Sequence, residues 1–577
     1  MKRILFVIAT AVITVIMIAG IVPQNDKRDT IAPMVPSANR YQEGKIFLEQ
    51  AHRLSTREGA DYQILTGDVV FRKNDMFMYC DSAHFYDQTN SLEAYGNVRM
   101  EQGDTLFVFA DELVYTDSLQ LAVLYADYGK QVRLINRDVE LTTTIFNYDL
   151  GIDLGYYEVG GTLTDDKNRL TSQYGEYAPP TAEANFRRNV HLESIGQADT
   201  LNIYTDDLYY NTKTHVALMN VPSVIISKDG KIYTDSAAYN TETSYADLYR
   251  RSVVVTNRNS TLVGDTLIYD RNAGYGEAFG NVVMTDSIKK VMLLGEYGFY
   301  NELTDSAFVT GKALAKEYSQ GDTLHLHADT IRVFQVITPE AEEFLDSITV
   351  TIPADTTHHL VAAHRVKFYR SDLQGICDSM TFIQRDSMLY LDRHPVVWSD
   401  NRQIFGNVIQ VHMNDSTVDF ARLPDFGFMA EEIEDGFYQQ LTGKEMLASF
   451  TDGHLRRLDV SGNVQAISLP MENDSTYNKM ATLESSFLTA DFKDNALERM
   501  KTWPESSSSI VPLYLAKRSQ LYLPQFKWYG PLRPTSPADV FIITQEFVDL
   551  MNEPDPGPKS RTERAALQQS NNKIPSL

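Results

Sequence analysis

The chain has 577 residues, of which 43% are hydrophobic, and its formal net charge at pH 7 is −25. This length exceeds one ordinary domain and supports a large core, and the hydrophobic fraction excludes a chain that is disordered throughout. So negative a surface repels phosphate backbones at long range, which excludes nucleic acid as a partner.

A targeting segment opens the chain. Lys2 and Arg3 precede an uncharged run from Ile4 to Val22. A basic start followed by an apolar stretch is typical of a secretory signal, and this run is also long enough to cross a bilayer as an uncleaved anchor. We therefore predict export, with residues 1–25 as signal peptide or membrane anchor and residues 26–60 as a linker. Membrane contact is expected only through residues 4–22, if they are not cleaved.

Short phrases recur in the same order along the body of the chain, as in a repeat protein. A Gly-Asn-Val phrase occurs at 96–98, 280–282, 406–408 and 462–464, with variants at 67–69 and 188–190. A Gly-Asp-Thr-Leu phrase occurs at 103–106, 264–267 and 321–324, and an Ala-Asp-x-Leu or Ala-Asp-x-Ile phrase at 110–113 and 328–331. Glycine permits positive φ and Asn or Asp caps its own turn, so these phrases indicate corners and turns.

Between the corners, apolar residues alternate with a period of two, which indicates strands. Leu324 and Leu326 share one face of such a strand, while His325 and His327 lie on the other. The best helical candidate, Phe428 to Phe450, is interrupted by two glycines. A unit that cannot bury its inner face alone must stack on its neighbours. We therefore predict an all-β protein built as an elongated stack of β-repeats.

These repeats resemble the OstA-like (organic-solvent-tolerance) family over roughly residues 62–490, through the ordered corners and the phrase from Ala110 to Tyr115. The family includes the periplasmic lipopolysaccharide-transport bridge and the N-terminal part of the outer-membrane translocon. The resemblance implies an open β-jellyroll, with several repeats in tandem, in which acyl chains lie in the crease of a V-shaped pair of sheets. It also implies that members join end to end through edge strands.

The implied function is a periplasmic bridge that binds lipopolysaccharide or a related glycolipid and contacts other transport proteins through edge strands. The chain departs from the short bridge members in its length and acidity, and it resembles the bridge without the translocon's pore. The candidate lipid-binding residues are apolar and lie on the predicted inner face. They are Val98, Met100, Leu106, Val108, Val190, Leu192, Leu201, Ile203, Val282, Met284, Leu324 and Leu326.

The remaining domain boundaries follow from composition. We predict β-repeats in residues 61–336 and 360–500, separated by an exposed acidic loop at 337–359. Prolines accumulate in residues 501–552, which indicates an extended segment that packs on the repeats or links them. Residues 553–577 are predicted to form a disordered tail.

The sequence predicts no catalytic residue, metal site or cofactor. Asp-Ser and Asp-Thr recur, but neither Asp-Thr-Gly nor Asp-Ser-Gly occurs, so we interpret them as structural turns. His325 and His327 are interpreted as an outward-facing surface pair. Cys80 and Cys377 occupy equivalent places in distant repeats, so we expect two unpaired thiols.

Two other functions remain open at this point. One is a structural or adhesive β-solenoid whose core is closed and carries no lipid. The other is a carbohydrate-active solenoid enzyme, because scattered carboxylates leave no linear signature. Periodicity cannot distinguish a closed core from an open trough.

Overall fold

The computed structural model describes residues 44–554 except for 196–200, 258, 320, 339–340, 346–347, 353–354, 415–416, 435, 453, 472–475 and 494–495. The predicted signal segment and nearly all of the predicted tail lie outside the described residues. Antiparallel strands dominate, and 42 of them form one continuous sheet, so the predicted all-β class is confirmed. None of the helices found in the described ranges is long and apolar enough to cross a membrane.

The strands are given in chain order. In the first half they are β1 (Ile46–Gln50), β2 (Arg53–Thr56), β3 (Gln63–Lys73), β4 (Met76–Tyr86), β5 (Ser91–Gln102), β6 (Leu106–Thr116), β7 (Leu121–Tyr125), β8 (Val132–Asn136), β9 (Val139–Thr143), β10 (Ile145–Asp149), β11 (Leu154–Tyr157), β12 (Gly161–Thr164), β13 (Asn168–Ser172), β14 (Tyr174–Ala178), β15 (Glu183–Ser194), β16 (Asn202–Asn211), β17 (Val216–Met219), β18 (Ser223–Ser227), β19 (Gly230–Thr234), β20 (Ala237–Asn240), β21 (Tyr245–Leu248), β22 (Ser252–Thr256), β23 (Ser260–Gly264) and β24 (Thr266–Asp270).

In the second half they are β25 (Tyr275–Asp286), β26 (Val291–Asn301), β27 (Ser306–Glu317), β28 (Leu324–Thr338), β29 (Ala341–Leu345), β30 (Ile348–Ile352), β31 (Asp355–Arg370), β32 (Leu373–Ile383), β33 (Met388–Asp392), β34 (Val396–Ser399), β35 (Arg402–Gly406), β36 (Val408–Asn414), β37 (Thr417–Leu423), β38 (Gly427–Glu434), β39 (Phe437–Gly443), β40 (Glu445–Thr451), β41 (His454–Ser468), β42 (Lys479–Lys493), β43 (Ala496–Trp503) and β44 (Ser507–Pro512). Short 3₁₀ turns and one α-helix, α1 (Gln545–Asn552), complete the regular structure of the described residues.

The continuous sheet is folded lengthwise into two layers. Long strands run through both layers and change register in the middle, as β5 does between Tyr95 and Val98. Elsewhere two short strands replace one long strand; β7 and β8, for example, pair with the two halves of β6. Side chains from both layers form one hydrophobic cluster, so the layers face each other. At about 4.8 Å between neighbouring strands, the stack extends for roughly 130 Å.

We name the two layers by their members. Layer A contains β2, β7, β10, β11, β14, β17, β20, β21, β24, β33, β36, β37, β40 and β43. Layer B contains β1, β8, β9, β12, β13, β18, β19, β22, β23, β34, β35, β38, β39 and β44. The strands β3–β6, β15, β16, β25–β28, β31, β32, β41 and β42 run through both. The line where the layers join is the corner, the space between them is the trough, and its open side, lined by hairpin turns, is the mouth.

The Gly-Asn-Val phrases make the corner. Gly96 and Asn97 both have positive φ, +74° and +44°, and together form a two-residue bulge that turns the strand from one layer into the other. The Asn97 amide donates to Asp81 Oδ2 at 2.8 Å, and Asn281 repeats this bond to Asp265 at 2.7 Å. Asp81 and Asp265 belong to the recurring Asp-Ser and Asp-Thr phrases, so at these two places the phrase supports a structural turn.

Two boundaries differ from those predicted, and the best helical candidate lies within the predicted β-repeats at 360–500. The predicted linker 26–60 overlaps β1 and β2, which begin the two layers. The predicted acidic loop 337–359 contains the ends of β28 and β31 and a hairpin of β29 and β30, because its β-branched residues continue the pairing beyond the repeat. The helical candidate Phe428–Phe450 forms strands within β38–β40, since each segment buries a face of a sheet.

The C-terminal segment, residues 513–553, forms a strap across the outer face of layer B. Three buried glutamines on that face bind it. Gln440 donates to the Leu521 carbonyl and accepts from the Leu523 amide, both at 2.8 Å. Gln403 binds the Lys527 carbonyl and the Tyr529 amide in the same way, and Gln374 accepts from Arg533. The side-chain amides of Gln440 and Gln403 each bond to a carbonyl and an N–H group of the strap backbone, as a neighbouring strand would. The strap is therefore held in place although it forms no strand.

Apolar packing adds to these bonds. Outward-facing Val396, Trp398, Phe405 and Phe428 form a second core with Phe547 and Leu550 of α1. The buried Lys367 ammonium donates to the Ile542 carbonyl at 2.6 Å and lies over the Phe547 ring. The strap also covers His327, whose ring contacts Phe541. The expected outward-facing surface pair is therefore wrong for His327, which is buried by a segment distant in sequence.

Replacing Phe547 tests the strap. Phe547→Ala leaves a cavity in the second core and is expected to cost about 3–5 kcal/mol locally. Hydrogen exchange should then speed up in β34, β35 and β38 but not in β4–β6. Tyr514→Ala, at an exposed strap position, is the control and should leave all these rates unchanged. Equal protection in both variants would show that the strap does not stabilise layer B.

Replacing Gly96 tests the corner. Gly96→Ala strains a backbone with positive φ and places its Cβ 2.5 Å from Asp81 Oδ2, which breaks the bond to Asn97. Gly103→Ala has a similar φ of +60° but no heavy atom within 4 Å. We expect Gly96→Ala to lower the opening free energy of β4 and β5 amides by about 1 kcal/mol more than Gly103→Ala. Equal effects in the two variants would contradict a specific role for the corner bond.

Candidate functional site

Large side chains fill the trough in residues 91–264, which we call the closed part. In layer A, the inner residues near the mouth include Tyr115, Tyr148, Tyr177 and Tyr210, each at most 1% exposed. Small residues make room for other rings, because Gly155 lies under Phe146 and Gly175 under Tyr157. The resulting core leaves little space between the layers, and closely packed interiors of this kind exclude a further chain.

Polar contacts, which we call latches, join the two edges of the mouth along and beside the closed part. Lys73 Nζ of layer B lies 2.5 Å from Asp117 Oδ1 at the edge of layer A. The Asn136 amide donates to the Tyr177 hydroxyl at 2.9 Å. Farther along, the Arg271 guanidinium donates to Asp229 Oδ2 at 2.7 Å. These three latches span residues 73–271 and hold the layers together where the trough is filled.

The first latch is partly buried, which sets its electrostatics. Burial by itself would raise the pKa of Asp117, but hydrogen bonds from Lys73, Asn90 and Tyr115 outweigh it and hold that pKa below its usual value. Burial, together with the hydrogen bond to Asp117, raises the pKa of Tyr115. The carboxylate therefore stays ionised and the phenol neutral across the physiological range.

Inner side chains near the mouth become partly exposed in residues 291–493, from β26 to β42, which we call the open part. Deep in the crease the side chains are buried, as Leu326 is. Nearer the mouth, apolar side chains that pack on the inner cluster are only partly buried. In layer A these are Tyr300, Val333, Leu360, Leu389 and Val411, and in layer B they are Leu324, Leu373, Val397, Ile404 and Met429.

The strap explains how layer B can leave its inner face partly exposed. Trp398 and Phe405 point outward and are buried beneath the strap, while their neighbours Val397 and Ile404 point into the trough and are partly exposed. A strand needs one buried apolar face to be stable in water. Where the strap lies, the outer face is buried, so the inner face can stay partly exposed near the mouth.

The structure places all twelve sequence-predicted residues on the inner face, but mostly in the closed part. Eight of them, from Val98 to Ile203 in the chain, are at most 4% exposed and pack as core. Val282 and Met284 lie just beyond the closed part, and Leu324 and Leu326 lie in the open part. Periodicity identified the inner face without distinguishing filled from accessible regions.

The accessible inner residues Leu389, Val397, Ile404, Val411 and Met429 were missed. A signal for some of them was present in the sequence. Val396-Val397-Trp398 and Ile404-Phe405 are apolar on both strand faces, and such a strand must be covered on both sides or exposed on one. That pattern pointed to a second covering layer, although not to which segment supplies it.

Both cysteines face the trough. Cys80 and Cys377 are buried and unpaired, as expected, and burial raises the pKa of the Cys80 thiol to about 12, so it is unreactive. One group in the described residues has ligand atoms close enough to hold a metal ion, namely Asp165, Asp166 and His215. These residues come from two turns of the chain and were not identified from the sequence.

Comparisons with known proteins bear on the N-terminal part. No curated protein matches the chain. Among matching solved structures is LptH of Pseudomonas aeruginosa, described as the LptA-homologous periplasmic component of the lipopolysaccharide transport device. It is 12% identical, the match covers 25% of this chain and 99% of that one, and the TM-score of 0.19 is too low to support a structural inference. Residues 43–196 match the family described as OstA-like protein. This match and the bulged corners within it identify residues 43–196 as an OstA-like domain.

Proposed function

We propose that this protein binds the acyl chains of lipopolysaccharide, or of a related glycolipid, in the open part and carries them along a bridge towards the outer membrane. The observation that carries this proposal is the row of partly exposed apolar side chains on the facing layers from β26 to β42. Apolar surface in water is unfavourable, and covering it with hydrocarbon gains about 0.8 kcal/mol per CH₂ removed from water.

The mouth of the open part also suits an amphipathic ligand. Acyl chains would lie between the layers, and the polar headgroup would stay in water at the mouth. Lys289 and Lys290, in the turn between β25 and β26, stand at the start of the open part. Their ammonium groups would offset the negative surface near the phosphates of an anionic headgroup.

The closed part takes a different role in this proposal. Its own side chains occupy the space that acyl chains would need, so cargo passes there only when the latches break and the layers separate. The OstA-like domain lies largely within this part. We propose that it is a gated section of the same trough.

The ends of the stack supply the proposed partner surfaces. β1 and β2 pair with β3 on one side, and β43 and β44 pair with β42 on one side. An edge strand can receive a strand from another protein through main-chain hydrogen bonds. We propose that other transport proteins of the periplasm add to these ends, without any cofactor or catalytic step.

A structural or adhesive role is the second candidate, favoured by the filled interior of the closed part. It predicts that no lipid enters any part of the trough. Photo-crosslinking in cells that export this protein distinguishes the two functions.

A photo-reactive residue at Ile404 or Val411 should give lipid adducts, because both side chains are partly exposed on the inner face. The same residue at Gln410, on the outer face beside Val411, should give none. At Val108 in the closed part, adducts should be at least several-fold weaker. Absence of adducts at all four positions would exclude the carrier role and favour the structural one.

A buried charge in the open trough should prevent binding. Val411→Asp places a carboxylate where acyl chains would lie, and we expect at least a tenfold loss of glycolipid affinity, measured with the purified protein, because desolvating an unpaired charge is costly. Gln410→Asp adds the same charge to the outer face of the same strand and should bind normally. Equal affinities in the two variants would contradict binding between the layers.

A further inference from the structure

Two turns of the chain meet at the mouth in the middle of the closed part. The turn between β12 and β13 carries Asp165 and Asp166 at the edge of layer B, and the turn between β16 and β17 carries His215 at the edge of layer A. One ligand atom from each of these three side chains lies within 4.8 Å of the other two. The group thus joins opposite edges of the trough.

Asp165 is the inner member of this group, and its side chain is 1% exposed. It accepts the backbone N–H groups of Lys167 and Asn168 at 2.8 and 2.7 Å, and the Tyr210 hydroxyl donates to it at 2.6 Å. These bonds fix the carboxylate before any ligand arrives. Pre-positioned oxygen atoms of this kind favour cation binding, because the side chain loses little conformational entropy when the ion binds.

His215 faces both carboxylates. Its Nδ1 lies 3.8 Å from Asp165 Oδ2 and 3.1 Å from the Tyr210 hydroxyl, and its Nε2 lies 3.8 Å from Asp166 Oδ1. One ion would bind only one of these two nitrogens, and one ligand atom of each of the three residues lies within 4.8 Å of the other two. Donor atoms on a tetrahedral metal ion are separated by about 3.4 Å when each metal–ligand distance is about 2.1 Å. The side chain of Asp166 is half exposed and can move the small remaining distance.

An independent observation comes from Asn168, which is fully buried beside Asp165. Its Nδ2 donates to the Tyr210 hydroxyl at 2.7 Å and to Thr241 Oγ1 at 2.8 Å, so these contacts set the orientation of the amide. Its Oδ1 has no hydrogen-bond partner, although its Nδ2 donates to the same Tyr210 hydroxyl that binds Asp165. A buried oxygen without a donor is rare in folded proteins, and a bound ion or water molecule would satisfy it.

We propose that Asp165, Asp166 and His215, with the amide oxygen of Asn168, bind a divalent transition-metal ion that ties the two edges of the mouth together. An imidazole with carboxylate and amide oxygens suits Zn²⁺ or Mn²⁺, whereas Ca²⁺ and Mg²⁺ prefer oxygen ligands alone. The ion would also offset the two adjacent carboxylates. It would make this latch dependent on metal, unlike the latch between Arg271 and Asp229.

Calorimetric titration of Zn²⁺ into the full chain, after treatment with a chelator, tests this site. We expect saturation at one ion per chain and at least a tenfold weaker affinity in Asp166→Asn, which should fold normally because Asp166 is half exposed. Asp207→Asn removes an exposed carboxylate from the corner side of β16, away from the mouth, and is the control. Zn²⁺ should also slow hydrogen exchange in β12, β13 and β16 of the wild type.

His215→Gln provides a second, spectroscopic readout. X-ray absorption of the Zn²⁺-loaded wild type should show one imidazole nitrogen among the ligands, and this signal should disappear in the variant. The proposal is wrong if the wild type shows no saturable Zn²⁺ binding, if Asp166→Asn binds as tightly as the wild type, or if Ca²⁺ binds as tightly as Zn²⁺. None of these results bears on glycolipid binding in the open part, which is tested separately with variants at Ile404 and Val411.

Discussion

The fold depends on one constraint, which is that each layer must bury an apolar face somewhere. In the closed part the two layers bury their inner faces against each other, and tyrosine and phenylalanine rings fill the trough. In the open part layer B also buries its outer face beneath the strap, while its inner face is buried deep in the crease and partly exposed near the mouth. Because the hydrophobic effect is non-directional, either arrangement stabilises the strands, but only the second leaves an accessible trough.

Buried polar side chains also find different partners in the closed part and beneath the strap. Across the mouth of the closed part, side chains from opposite edges satisfy each other, as Asn136 and Tyr177 do. Beneath the strap, the glutamines of layer B satisfy the backbone of a segment that forms no strand. Both devices place polar groups where they are shielded from water, and such groups must be paired. The polar pattern therefore marks where the molecule is closed and where it is covered from outside.

The strong negative charge fits this arrangement better than it fits a simple anionic-lipid binder. Many carboxylates have specific partners at corners and turns, such as Asp81 with Asn97 and Asp329 with Arg365. Others lie in the mouth, where they bind donors from the opposite edge. A surface of this kind keeps a long, edge-bearing sheet soluble and discourages non-specific pairing.

The sequence by itself determined the strand class, the inner face and the corners, because alternation and positive-φ phrases act over a few residues. It showed that Val98 and Leu326 point inward, but not that one region is filled and another is accessible. Only the tertiary structure decided that, since accessibility in layer B depends on a strap more than a hundred residues away from Gln403. The cluster of Asp165 and His215 was equally invisible, because stacking brings together turns whose separation in the chain carries no pattern.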